Sequence, residues 1–340
     1  MEIRPCARVM SNKAGMDKMG NLGKFYITTP IYYTNDKPHL GHLFEALGID
    51  VQARFRRLLG HDVYFLSGTD EHGQKIQNQA ALKGISPQEL VDHLADQFQS
   101  LWADFKINHD DFIRTTQPRH QIGCQKLWQE VMRKTEGAIY PAKYKGWYDT
   151  REENYLTDEE MASQGLTPDE SHIKWMEEDC FFFKLSAFQK EIEALFERPG
   201  YCLPDFRAKE MYGSFLKPGL KDVCISRTTI HWGVPVPGNE KHVMYVWFDA
   251  LTNYISAIGY GQNDQWEKWW PADVHVVGKD ILKFHTILWP AMLMAAGIEP
   301  PKQIFGHGFI TLGDEKMSKS RGNVIDPVDL VRDYGVEPLG

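Results

Sequence analysis

The sequence predicts an α/β protein built on a parallel, doubly wound sheet that is split by a long insertion. Three observations carry that expectation. Strand-like and helix-like segments alternate over residues 24–114, the pattern turns aromatic, loop-rich and irregular over 115–241, and the alternation resumes at 242.

The elements follow in order. Residues 24–31 are rich in β-branched and aromatic side chains and end at a Pro-interrupted loop, as a buried strand does. Pro38 stands where a helix could begin, and 42–59 carries apolar residues at 43, 47, 51, 55 and 58 before Gly60 closes it. A second strand is predicted over 62–66. Ser86, Pro87 and Glu89 form a capping box with Pro at the first helical position, opening a helix towards Phe105. Within 115–241, Thr157–Glu160 and Thr167–Glu170 look like two further capping boxes, and Phe181, Phe182 and Phe183 run together. Beyond them the pattern predicts strands over 242–248, 274–277 and 303–306, a helix over 280–296, and a last helix over 327–334 capped by Asp326. The expected divisions are therefore 1–23, 24–114, 115–241, 242–312 and 313–340.

Residues 1–23 hold four methionines and little apolar pattern, so they read as a disordered leader with the natural start at Met16 or Met19. No apolar run has the length of a membrane span; the longest candidate, 281–296, is broken by Lys283, His285 and Pro290. The five cysteines include no C-x-x-C pair, so neither a disulfide framework nor a zinc knuckle is indicated, and a reducing cytoplasm fits best. A net charge of −8 excludes a broadly basic nucleic-acid coat. Arg54, Arg56 and Arg57 then read as a solvated helix face, while Lys316, Lys319 and Arg321 form a local basic patch.

Two short motifs carry the chemistry. Pro38-His39-Leu40-Gly41-His42 places two imidazoles three residues apart at a helix start, on one face and beside free backbone N–H groups. With 13 His and 28 Gly in the chain, an H-x-G-H is expected about 0.04 times by chance. Ring N–H donors there can stabilise charge that grows on oxygens around a reacting phosphorus, and Gly41 would let a nucleoside ring approach the backbone. The plainer alternative is that one histidine caps the helix and the other packs. Lys316-Met317-Ser318-Lys319-Ser320 lies between Gly313 and Gly322 with few apolar anchors, so its lysines could close over a triphosphate. Alone it would read as an exposed basic turn.

Together these motifs resemble the HIGH and KMSKS signatures of the class I aminoacyl-tRNA synthetases, and among them the methionyl-tRNA synthetase family, over residues 24–335. The resemblance implies a split Rossmann-type fold, with His39, His42, Lys316 and Lys319 as catalytic residues. It implies an ATP site at Asn35, His39, Gly41, His42, Glu45, Gly278, Asp280, His307 and Lys319. A methionine site is implied at Ile31, Tyr33, Asp70, Trp247, Ala250, Tyr254, Ile281, Phe284 and His285. The residues suit those tasks. An aromatic pocket favours a polarizable thioether, and Asp70 at a strand's carboxyl end can fix an ammonium group. Asp280, just before a predicted helix, has the alternative role of an N-cap. Asp70, Glu71 and His72 could be read as a metal cluster, but neighbours on a strand end diverge.

The implied reaction joins methionine to ATP, with Mg²⁺ accompanying ATP, and passes the product to tRNA(Met). Two departures from the family pattern stand out. Tyr144-Lys145-Gly146-Trp147-Tyr148 leads into acidic sequence with no C-x-x-C, as in the family's zinc-free branch, so no structural zinc or other metal is expected. The sequence also stops at Gly340, where the family continues into a stem-contact region and a helical anticodon-binding domain. An anticodon-reading domain is therefore expected to be absent. The alternative function is a catalytically impaired fragment that binds methionine or ATP without charging tRNA. Valine, isoleucine and leucine enzymes would need a longer editing insertion than 115–241, and a small H-x-G-H nucleotidyltransferase would need neither Trp247 nor the insertion.

Overall fold

The computed structural model describes residues 22–150, 154–156, 158–312, 315–316 and 327–335. The chain runs β1 (Lys24–Thr28), β2 (Tyr32–Tyr33), α1 (Leu40–Leu58), β3 (Asp62–Asp70), α2 (Gln74–Lys83), α3 (Pro87–Asp104), β4 (Asp111–Arg114) and α4 (Pro118–Lys134). It continues through β5 (Ile139–Asp149), β6 (Asn154–Leu156), α5 (Asp158–Gln164), β7 (Ile173–Phe183), α6 (Gln189–Glu197), β8 (Cys202–Leu203), α7 (Asp205–Met211), β9 (Val223–Cys224) and β10 (Ser226–Arg227). Last come β11 (Pro235–Val236), β12 (Asn239–Met244), α8 (Val246–Ser256), α9 (Gln265–Trp269), β13 (Val274–Gly278), α10 (Trp289–Ala295), β14 (Ile304–His307), β15 (Thr311–Leu312), β16 (Glu315–Lys316) and α11 (Pro327–Tyr334).

The central sheet has seven strands in the order β2-β3-β1-β13-β14-β8, with β4 also on β3, and every pairing is parallel. It is the α/β sheet the sequence predicts. The halves meet where β1 pairs with β13, Ile27 opposite Val274 and Thr28 opposite His275. Alternation along the strands sends Phe25, Ile27, Val63 and Phe65 into one apolar cluster and Tyr26 and Leu66 into another, so both faces are covered. Because the chain moves from β1 to β3 on one side and to β13 on the other, a crevice opens at the carboxyl ends of β1 and β13.

The stretch 115–241 contributes to both layers. Strands β5, β6, β7 and β9 form a separate antiparallel sheet, whereas β8 extends the central one and α4 packs beneath α8.

Four local expectations need correction. The strand predicted over 242–248 stops at Met244 and pairs antiparallel with β10 and β11, while Tyr245 caps α8 and residues 246–248 are already helical. A short apolar run does not distinguish a strand from a buried helix. The helix predicted over 280–296 contains a π-turn, Phe284–Leu288, before α10, because Pro290 has no N–H to donate back. The apolar positions 43, 47, 51 and 55 of α1 do not form one buried stripe. Leu43, Ala46, Ile49 and Ala53 are buried and Val51 and Phe55 exposed, since each four-residue step overshoots a turn by about 40°. Thr167–Glu170 closes a turn rather than a helix, with the Thr167 N–H donating to Glu170 Oε1 at 3.2 Å.

The capping box at Ser86–Glu89 is present with both reciprocal bonds. Thr157, Asp326 and residues 1–21 lie outside the described residues. The arginines of α1 are tied down: Arg54 binds Asp50, Arg57 binds Asp110, and Arg56 lies over the Phe25 ring. Among the described residues no helix is long and apolar enough to cross a membrane.

Candidate active site

The crevice at the β1/β13 junction is a cleft of about 430 Å³ lined from both halves of the sheet. Residues after β1, the start of α1, the end of β3, one face of α8, the loop after β13 and the end of β14 all reach it.

One end is set by α1. His39 is its N-cap, and the ring Nδ1 accepts the Gly41 N–H at 3.0 Å. His42 Nδ1 in turn accepts the His39 backbone N–H at 3.2 Å, completing a reciprocal capping box made of two histidines. Because both Nδ1 atoms accept from backbone donors, each neutral ring carries its proton on Nε2. The rings stack with centroids 3.7 Å apart. Capping and a donor role, posed as alternatives from the sequence, are thus compatible in the same rings. The glycine at 41 has a further role within the cap: a Cβ there would lie 2.9 Å from His39 Cε1, so its absence makes room for the capping ring.

Glu45, one turn further along α1, is buried and accepts from His307 Nε2 at 2.7 Å. This pair joins the first half of the sheet to the last strand of the second. Burial pulls the His307 pKa down, but the Glu45 hydrogen bond and charge outweigh it and raise it. For Glu45, burial outweighs His307 and raises the carboxyl.

The other end is aromatic. Trp247, Ala250 and Tyr254 are spaced three and four apart on α8 and so share its cleft-facing side. His285 Nδ1 faces the Ile281 carbonyl at 3.0 Å, so that nitrogen carries the proton and Nε2 accepts the Tyr254 hydroxyl at 2.7 Å. Burial lowers the His285 pKa to about 4, which keeps the ring neutral and the hydrogen bond in this sense. Trp247 stacks on Phe284 at 3.7 Å between centroids.

The end of β3 fans out. Asp70 lines the cleft. Glu71 turns away to accept from Arg114, Thr69 and Thr116, and its carbonyl accepts from Trp232 Nε1 at 2.6 Å. His72 points to α8, where Nδ1 meets Asp249 Oδ2 at 2.6 Å. Three consecutive polar residues thus face three different elements, and they do not form a metal cluster.

Comparison with known proteins decides the family. A family model described as "tRNA synthetases class I (M)" matches residues 25–174 and 163–339. The chain belongs to the methionyl class I tRNA synthetases. The methionine–tRNA ligase of Listeria monocytogenes serovar 1/2a is 47% identical over 328 residues, covering 93% of this chain and 49% of the relative. That of Mesorhizobium japonicum is 50% identical over 323 residues, covering 93% and 62%. The chain thus spans about half to three-fifths of the length of these relatives. Among solved structures, the Mycobacterium tuberculosis methionyl-tRNA synthetase in complex with methionyl-adenylate superposes with a TM-score of 0.87 at 42% identity, covering 93% of this chain and 63% of that one. The apo form of the same enzyme gives 0.76 at 38% identity, covering 93% and 60%.

For this synthetase chain, the cleft brings together Ile31, Tyr33, His39, Gly41, His42, Glu45, Asp70, Trp247, Ala250, Tyr254, Gly278, Asp280, Ile281, His285 and His307. Phe284 stands behind Trp247, and Asn35 sits in the turn after β2, outside the lining. The Lys316 backbone pairs in β16 opposite Thr311; its side chain and all of Lys319 lie outside the described residues. Asp280 does not cap a regular helix start, and its Oδ1 would lie 2.6 Å from a Cβ at Gly278.

Sequence reasoning missed Lys75 and Asn253, which also line the cleft. Asn253 lies three residues after Ala250 on the same helix, a signal that was available. Among the described residues, His120, Cys124 and Asp249 are grouped closely enough to suggest a metal site. His120 Nε2 and Asp249 Oδ1 are 2.6 Å apart, however, a hydrogen-bond distance that leaves no space for an ion between them.

Proposed function

We propose that the cleft joins methionine to ATP, forming methionyl-adenylate and releasing pyrophosphate, and that the whole protein passes the methionyl group to the 3′ end of tRNA(Met). The observation that supports this reading is the stacked His39/His42 pair, tied through Nδ1 to the start of α1, among the residues lining a cleft with an aromatic far end.

The amino-acid carboxylate attacks the α-phosphorus in line; its oxygen forms the new P–O bond as the bond to the β-phosphate oxygen breaks. Nε2–H donors from His39 and His42 meet charge that grows on the phosphate oxygens in the transition state. No proton need leave either ring, so positioning and electrostatics carry the step. Mg²⁺ would come with ATP as part of the substrate and would supply charge neutralisation on its phosphates. Lys316 and Lys319 we assign to the departing pyrophosphate.

At the aromatic end, Asp70 receives the ammonium group, and the thioether lies among Ile31, Tyr33, Trp247, Ala250, Tyr254, Ile281 and His285, with Phe284 supporting Trp247. Adenine and ribose fall to Asn35, Gly41, Gly278, Asp280 and His307. In this reading 24–114 and 242–312 are the two catalytic halves, 115–241 the connecting insertion and 313–340 the loop segment. A sulfamate analogue of methionyl-adenylate should raise the thermal midpoint more than methionine or ATP alone, because it spans both ends of the cleft. No shift with the analogue would defeat the reading.

A further inference from the structure

Asp249 is wholly buried and lies between two imidazoles. His72 Nδ1 meets one carboxylate oxygen and His120 Nε2 the other, each at 2.6 Å. The three residues come from the connection just after β3, from α4 and from the first turn of α8. His120 Nδ1 also meets Ser256 Oγ at 2.9 Å at the far end of α8, so α4 grips that helix at two places. The approach is close because residue 123 is glycine: a Cβ there would lie 2.6 Å from Ser256 Cβ. Burial alone would raise the Asp249 carboxyl, but the facing imidazoles outweigh it and hold it well below the ordinary carboxylate range.

This cluster sits behind the proposed methionine pocket. His72 is two residues past Asp70, and Asp249 lies between Trp247 and Ala250 but points away from the cleft they line. Two pocket walls that come from distant parts of the chain are thereby linked through one carboxylate. We propose that Asp249, clamped between His72 and His120, is a positioning residue that holds the aromatic face of α8 at the correct distance from Asp70, and so sets the affinity for methionine. This rests on the methionine reading of the cleft. Cys124 Sγ, 3.2 Å from His120 Nε2 and 3.7 Å from Asp249 Oδ1, closes the cluster on its fourth side. Burial and the Asp249 charge raise its thiol pKa, so Cys124 adds no second anion.

The two histidines use different ring nitrogens, and this supplies the test. An Asn amide reaches about as far as Nδ1 and a Gln amide about as far as Nε2. His72→Asn and His120→Gln should therefore keep the clamp, whereas His72→Gln and His120→Asn should misplace it. Methionine and a non-hydrolysable ATP analogue are titrated by calorimetry against the 340-residue protein and the four variants. The misplacing pair should weaken methionine about tenfold and the retaining pair less than about threefold, with the ATP analogue unchanged in all four. Asp249→Asn, which conserves shape, takes the place of any misplacing variant that does not fold and should also weaken methionine about tenfold.

Equal methionine affinity in all variants, or parallel weakening of methionine and the ATP analogue, would overturn the clamp. So would stoichiometric zinc in the purified protein, which would make the cluster a metal centre. Wild-type protein that binds no methionine would instead remove the underlying reading, a result distinct from a wild type that binds and variants that match it.

Discussion

Replacing His285 with Gln removes a titrating ring from the cleft and keeps an acceptor for Tyr254. In the folded protein burial lowers this histidine from its ordinary value of 6.5 to about 4. Its folded pKa is depressed, so the neutral ring favours folding above about pH 6.5, and that contribution is lost as pH falls towards 4. At about 1.4 kcal/mol per pH unit, the full loss comes to about 3 kcal/mol. The geometry supplies the reason: protonation would put a second N–H on the ring at Nε2, facing the Tyr254 hydroxyl that now donates to it at 2.7 Å. The neighbouring His275 is also lowered by burial, and it remains in both proteins. Urea unfolding followed by tryptophan fluorescence at pH 7.5 and 4.5 measures the difference. His285→Gln should be about 1 kcal/mol less stable at pH 7.5, having lost the bond to Ile281. Between the two pH values it should lose about 2–3 kcal/mol less than wild type. Parallel losses in the two proteins would refute the buried, neutral assignment of His285 and with it the direction of the Tyr254 hydrogen bond.

Gly41→Ala should push the His39 ring off its cap, lowering the thermal midpoint by about 2–4 °C and pyrophosphate exchange by about tenfold; unchanged exchange would show that the cap geometry is irrelevant to activity. Asp70→Asn should weaken methionine about tenfold or more and leave ATP binding alone, and calorimetry that finds equal methionine affinity would dismiss the ammonium contact. Because the His307 pKa is raised in the folded state, its contribution is present below about pH 6.5 and is lost as pH rises through the raised folded value. Thermal melts of wild type should therefore show this alkaline decline and those of His307→Gln should not; identical profiles would count against the pair.

Four of the seven central strands, β1, β3, β13 and β14, were legible as β-rich runs, whereas the short β2, β4 and β8 gave no such signal. Residues 24–28 and 274–277 are short β-rich runs bounded by turn residues, and the structure pairs them in the central sheet. Most of the cleft was legible through family resemblance, since those residues sit in quotable motifs. What escaped depends on contacts between distant segments. Nothing local in Tyr245-Val246-Trp247 says helix, and the helical choice is settled by burial of the whole of 248–256 between α4 and the sheet. Nothing in Gly41 says that its neighbour's own ring needs the space, or that His120 meets an aspartate 129 positions away. The π-turn at Phe284–Leu288 had a visible cause in Pro290, and that signal went unused.

Methionine-dependent exchange of labelled pyrophosphate into ATP tests the central reading most directly, because it requires both ends of the cleft and the reversible step between them. The 340-residue protein should catalyse exchange with methionine and not with valine, isoleucine or leucine. Methionine binding without exchange, or exchange driven equally by leucine, would contradict it.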